Sequence, residues 1–256
     1  LGTETKSPSQ LVFDDLPVPS SFFVRVTGLV AAPARTLQNV SRHPRFFAPF
    51  FATWVLFAGF WGVVYAKLGL AGMAVAVVQY FRRGTLVTQD EIDFALQFSG
   101  GLVPAILIGG TIAILAHLLI MGWVGARLAD LFFGVRIRLR LALSLASYAY
   151  LAKTVAQTIL GIPMALFGDV SGLNFGNLLP TNVAFFLDPK DTSRILYAFL
   201  QSLDIVQLWY FTLLGIGFST AADDRESPPV MAASLAALWI AWNVLLAAFG
   251  DLMRAP

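Results

Sequence analysis

The sequence predicts an all-α, polytopic integral membrane protein with a five-helix transmembrane bundle, and three observations lead there. Of the 256 residues, 57% are hydrophobic, against about 45–50% in a soluble domain. Only 12% are charged, where a soluble domain carries about 25%. Several apolar runs also reach about 20 residues, the length a helix needs to cross a hydrocarbon core of about 30 Å. The mean hydropathy of +0.74 agrees.

Composition narrows the chemistry as well. The chain has no cysteine, which excludes disulfides, thiolate catalysis and Cys-based metal sites. Its two histidines, His43 and His117, are too few for a His-rich metal site, so no metal or other cofactor is expected. A net charge of +2 gives no reason to expect a nucleic-acid partner. Residues 1–20 lack the charged, apolar, small order of a signal peptide.

The elements follow in order. Residues 1–20 are polar and proline-bearing, and are expected to form a flexible tail. Residues 21–45 mix apolar and basic side chains, with Phe22, Phe23, Val26, Leu29 and Val30 at helical spacing and a break at Pro33. That pattern suits an amphipathic segment lying at the membrane interface. The transmembrane domain is expected over 46–250.

Its first span is read at 46–66, ending near Lys67 and Gly69. Residues 70–81 are apolar but too short to cross, and are expected to lie in the interface or re-enter. Thr88-Gln-Asp-Glu91 has the spacing of a capping box opening a short amphipathic helix to about Phe98. The second span is read at 101–124 and the third at 144–167, after the basic VRIRLR. A Gly-, Asn- and Pro-bearing loop fills 168–192. The fourth span, 196–218, and the fifth, 230–250, are joined by the polar turn AADDRESPP.

Five crossings put the termini on opposite sides, and the Lys/Arg bias of the flanks sets the orientation. With the N-terminus inside, Arg25, Arg35, Arg42, Arg45, Arg127, Arg136, Arg138, Arg140 and Arg225 are cytoplasmic. Lys67, Arg82, Arg83, Lys190, Arg194 and Arg254 fall outside, nine against six. The expected topology is N-in, C-out.

Ionisable residues near a span centre cost roughly 2.5–3.5 kcal/mol each on insertion scales, so each needs a reason. Three occur: His117, Lys153 and Asp204. On span three, Tyr150, Lys153, Thr154 and Gln157 share a helical face; on span four, Gln201, Asp204, Gln207 and Phe211 do. Two polar stripes in lipid are expected to find each other. Lys153 lies roughly 14 Å from the inner end of span three, and Asp204 roughly 12 Å from the outer end of span four, at 1.5 Å per residue. A Lys153–Asp204 pair is therefore within reach, and Gln157–Asp204 is easier. The cluster Tyr150, Lys153, Gln157, Asp204 and Gln207 reads either as a helix-packing clamp or as a proton or ion relay using Asp204 and Lys153, with His117 a candidate third member. The greasiness of the spans elsewhere favours the clamp. His117 is expected to be an isolated, satisfied histidine or to face lipid, and Asn243 to be packing glue.

Gly109-Gly110, Gly122 with Gly125, and Gly215 with Gly217 mark close helix contacts, although none is a GxxxG pair. Arg127 with the Arg136-Ile-Arg138-Leu-Arg140 alternation is expected to form a cytoplasmic docking edge for lipid headgroups or a protein partner. No HExxH, GxSxG, P-loop or Gly-rich nucleotide fingerprint occurs. Asp204 has no second intramembrane acid to form a protease pair, so no enzyme is expected.

Three stretches together resemble the Yip-domain family, the Ypt/Rab-interacting proteins. VAAPARTLQNVSRHPRFFAPF, with Pro33, Pro44 and Pro49, resembles that family's proline-bearing lead-in to span one. LFFGVRIRLRLALSLASYAY looks like its connection from span two to span three. LDIVQLWYFTLLGIGFSTAADDRESPPVMAASLAALWIAWNV is similar to its spans four and five, with Asp204, Trp209 and Gly215 or Gly217 leading to a polar turn. The likeness covers about 30–250. One departure is that Ala152-Lys153 stands where the family often has a proline, which puts any role of a helix break there in doubt.

The resemblance implies five spans, a cytoplasmic N-terminus and a non-enzymatic role. Eukaryotic members bind Rab-type GTPases at endoplasmic reticulum or Golgi membranes. Some prokaryotic members look like accessory partners of transport systems, and the lack of cysteine and the short tail suit that type. The expected role is a membrane scaffold or accessory protein in the cell (inner) membrane, contacting lipids and a membrane-protein partner or further copies of itself. The alternative is a small transporter or proton-coupled permease using Asp204 and Lys153.

Overall fold

The structure, a computed structural model, describes residues 21–82, 88–97, 99–167, 179–188, 191–222 and 228–252. The expected flexible tail at 1–20, residues 223–227 of the polar turn, and residues 168–178 and 189–190 of the long loop lie outside this set.

The regular structure of the described chain is helical throughout, with no strand among the described residues. The helices are α1 (Phe22–Ala31), α2 (Pro33–Arg42), α3 (Phe47–Arg82), α4 (Gln89–Gln97), α5 (Leu102–Phe133), α6 (Leu139–Phe167), α7 (Arg194–Ser202), α8 (Ile205–Ala221) and α9 (Pro228–Leu252). Short 3₁₀ turns occupy Ser99–Gly101 and Val183–Phe186. Four stretches are long and apolar enough to cross a bilayer: Phe47–Val75, Leu102–Phe133, Leu139–Phe167 and Pro228–Gly250. A fifth span exists if α7 and α8, bent by 54°, count as one crossing. The protein is an all-α polytopic membrane protein.

Helix ends follow local chemistry and not the edges of the apolar runs. α5 overshoots the expected end at residue 124 because nothing in 125–133 stops a helix. It ends at Gly134, where φ of 66° gives the left-handed turn glycine tolerates best. At 32 residues, α5 is roughly 48 Å long and exceeds the hydrocarbon thickness of about 30 Å. α6 likewise begins at Leu139, ahead of the expected 144. Gly69 interrupts α3 with φ of 65° and ψ of −176°, a kink where the first span was expected to end, and residues 70–82 continue as helix beyond it. The Thr88 box forms as read: Thr88 N donates to Glu91 Oε2 at 3.1 Å, and Glu91 N donates to Thr88 Oγ1 at 3.4 Å.

α6 is the central helix. It packs on α3, α5 and α8 and also touches α1 and α2. Ala142, Ser144, Ala146, Ser147, Ala149 and Ala152 give it a small-residue surface that lets neighbours approach closely, the main source of helix association where lipid is as apolar as the side chains. Gly125 of α5 meets the ring of Phe218 on α8, with no room for a side chain between them. Trp54 Nε1 of α3 donates to Thr111 Oγ1 of α5 at 2.9 Å. Outward-facing Phe47, Ile112, Leu131, Phe167 and Leu245 are exposed, as a lipid-facing surface requires.

α1 and α2 break at Ala32–Pro33 and dock on α6 and α8. Leu29, Leu37 and Val40 are wholly buried. Arg25 is buried too, and its Nη1 donates to His43 O at 3.2 Å, tying the start of α1 to the end of α2. At the far end of the bundle, Lys67 Nζ donates to Leu166 O at 2.7 Å, satisfying a carbonyl in the last turn of α6.

Candidate functional site: a polar cluster between α5, α6 and α8

Asp204 starts a helix. Residues 203–204 leave the helical conformation, with Asp204 extended at φ −89° and ψ 128°. Its Oδ1 accepts from Gln207 N at 2.9 Å, the N-cap bond that satisfies one of the four free N–H groups at a helix start. Its Oδ2 accepts from the hydroxyl of Thr181. Ile205 N donates to Thr181 O at 2.9 Å, so the same threonine supports both sides of the break.

One turn into α8, Gln207 is 4% exposed. Its Oε1 accepts from Lys153 Nζ of α6, while its Nε2 has no partner among the described residues. Lys153 Nζ also lies 5.2 Å from the ring centre of Tyr150 and 5.6 Å from that of Tyr210. A desolvated cation over an aromatic face gains roughly 2 kcal/mol. A hydrogen bond to a charged group adds about 1.5–3 kcal/mol. Together these are of the size needed to offset an insertion cost of roughly 2.5–3.5 kcal/mol.

The cluster continues to α5. His117 Nε2 and the Tyr210 hydroxyl share a 3.1 Å hydrogen bond. The His117 ring sits 4.9 Å from Tyr150 and meets Trp239 of α9 edge-on at 6.0 Å. Residues of four helices thus join one contiguous cluster.

This arrangement corrects the expected pairing. Tyr150, Lys153 and Gln207 do meet, but no ion pair joins Lys153 to Asp204 among the described residues. Gln157 is half-buried and makes no hydrogen bond to Asp204. The reason is that span four is not one straight helix over 196–218. The break turns the Asp204 carboxylate toward the end of α8, where backbone N–H groups compete for it. His117 is not isolated either, since Tyr210 holds it. Asn243 donates to Trp239 O on its own helix at 2.8 Å.

Tyr210, Trp239 and Thr181 were not anticipated as members, and His117 was expected only as a candidate third group of a relay. Tyr210 had a signal, being three residues beyond Gln207 on one face. Asp204-Ile-Val-Gln207 has the same spacing as the box at Thr88, which announces a helix start. Thr181 sits 23 residues away in a loop and had no signal.

The arginine edge forms a second feature, at the opposite end of α8 from Asp204. Arg127 is on the last turns of α5, Arg136 and Arg138 are on the connection, and Arg140 is in the first turn of α6; all four are exposed. Ile137, half-buried, packs on the core, so the alternation is that of an extended segment. A groove of about 440 Å³ lies here, lined by Trp123, Arg127, Asp130, Arg136, Ile137 and Leu139 among others. The Arg127 guanidinium lies 5.7 Å over the Trp123 ring.

No family model, curated protein or solved structure matches the chain.

Proposed function

We propose that the protein is a non-catalytic membrane scaffold or accessory protein of the Yip type. It sits as a multi-pass protein in the cell (inner) membrane, with its arginine edge cytoplasmic. It contacts partner membrane proteins through its exposed helix faces, and lipids and partners through that edge. The observation that carries this is the use made of Asp204. Both carboxylate oxygens are engaged in building the start of α8, one by Gln207 N and one by Thr181, so the cluster's acid is committed to architecture. The three stretches resembling Yip-domain proteins point the same way.

The test is affinity purification of a tagged copy from its native membrane in mild detergent, with mass spectrometry of what accompanies it. A stoichiometric membrane-protein or GTPase partner supports the scaffold; recovery alone as a homo-oligomer overturns it.

A second reading, a small transporter or proton-coupled permease using Asp204 and Lys153, is favoured by one observation. The fourth crossing is broken beside a buried Gln207 Nε2 that has no partner among the described residues, and broken helices form the substrate sites of several transporter folds. A pH-dependent flux in liposomes that Asp204→Asn abolishes would establish it.

A further inference from the structure

We infer that the groove at the arginine edge binds the phosphate of an anionic phospholipid, with Arg127 and Arg136 as the groups that hold it. This rests on the scaffold reading only in placing the edge at the cytoplasmic leaflet.

Charge comes first. Arg127, Arg136, Arg138 and Arg140 make no side-chain hydrogen bond or ion pair among the described residues. Asp130 lines the same groove and pairs with neither Arg127 nor Arg136. Among the described residues, the groove is thus lined by two exposed guanidinium groups, those of Arg127 and Arg136, and one carboxylate, that of Asp130. The acids Asp223, Asp224 and Glu226 of the next turn lie outside the described residues. A guanidinium presents parallel N–H donors that match two phosphate oxygens at once, a geometry lysine lacks.

Apolar surface narrows the ligand from any phosphate to a lipid. Trp123 is 56% exposed and sits one turn below Arg127, and such aromatic rings collect at the headgroup boundary. Leu119 and Ile120 continue the exposed apolar face one turn further into the bilayer, and Leu139 is exposed at the groove wall. The order along α5 is thus hydrocarbon, indole, guanidinium. An acyl chain, glycerol and phosphate follow the same order. The groove's 440 Å³ is within the common range for small-molecule sites of about 300–1,000 Å³.

The test uses the full chain, purified from vesicles of equal phosphatidylglycerol and phosphatidylcholine with matched chains, and native mass spectrometry of the lipids retained. Wild type is expected to favour phosphatidylglycerol on the order of tenfold. Arg127→Gln/Arg136→Gln should bring the ratio close to one. The control Arg35→Gln/Arg42→Gln removes the same charge from two exposed sites on α2, away from the groove, and should leave the preference in place. Both variants alter exposed side chains, and an unchanged detergent melting curve verifies their folds.

Equal retention of the two lipids by wild type overturns the proposal. So does equal loss in the two variants, which would mark diffuse attraction to an anionic surface. Displacement of the retained phosphatidylglycerol by an equimolar amount of inorganic phosphate also overturns it, because the apolar wall would then add nothing and the groove would be a site for free phosphate. The assay contains no protein partner, so its failure is separate from that of the scaffold reading.

Discussion

Lys153 of α6 donates to Gln207 Oε1 of α8, and this bond joins the polar faces of two apolar helices. Removing the acceptor leaves the ammonium group without its hydrogen-bond partner. Gln207→Leu is expected to cost about 1.5–3 kcal/mol in detergent unfolding, the worth of a hydrogen bond to a charged group. Lys153→Met on that background should recover part of the loss, since no charge is then left unpaired. The double-mutant cycle should return a coupling of roughly 0.6–1.7 kcal/mol. A coupling of zero would mean that the two side chains do not meet.

Asp204 should tolerate asparagine and not alanine. The amide oxygen of an asparagine side chain can still accept from Gln207 N, and asparagine is as good an N-cap as aspartate. Asp204→Asn is therefore expected to leave the melting temperature nearly unchanged. Asp204→Ala should cost about 0.5–2 kcal/mol. Thr181→Val should add little on top of Asp204→Ala, because both remove one shared contact. Fully additive losses would separate the two residues.

Gly125 tests the packing of α5 on α8. A side chain there runs into the Phe218 ring, so Gly125→Val should destabilise by about 1–3 kcal/mol through overpacking. Phe218→Leu should restore part of it by making room. A rescue no better than the sum of the two single changes would count against the contact.

The docking of α1 and α2 can be followed separately from the bundle. Leu37 is fully buried, and Leu37→Ala should cost about 2–5 kcal/mol of local stability. Hydrogen exchange should accelerate over 22–42 and stay slow in the middle of α6. Acceleration in both at once would make the segment part of one cooperative unit with the bundle.

The pattern of apolar runs and turn chemistry made most of this fold legible. Hydropathy located the crossings, Thr88 and Glu91 announced α4, and Pro33 and Gly69 announced two breaks. What hydropathy could not show was a helix start inside an apolar run, because lipid-facing residues look alike on both sides of Leu203. The sign was present in Asp204 and Gln207, at the spacing correctly read at Thr88. Treated as a mid-helix side chain, Asp204 pointed to an ion pair with Lys153 or a hydrogen bond with Gln157. The break instead handed the lysine to Gln207. Thr181 was beyond reach, since nothing local ties a loop threonine to a carboxylate 23 positions later.

The seat of α2 has a consequence for how the protein is made. Leu37 lies over Gly217 of α8 and close to Leu145 of α6. Some 180 positions separate Leu37 from Gly217, which at about 5–20 residues per second is roughly 9–36 seconds of synthesis. Through that interval the surface that will receive Leu29, Leu37 and Val40 is incomplete. A segment made well before α8 is thus among the last to reach its place, and its apolar face must meanwhile rest on the bilayer surface or in the hands of the insertion machinery.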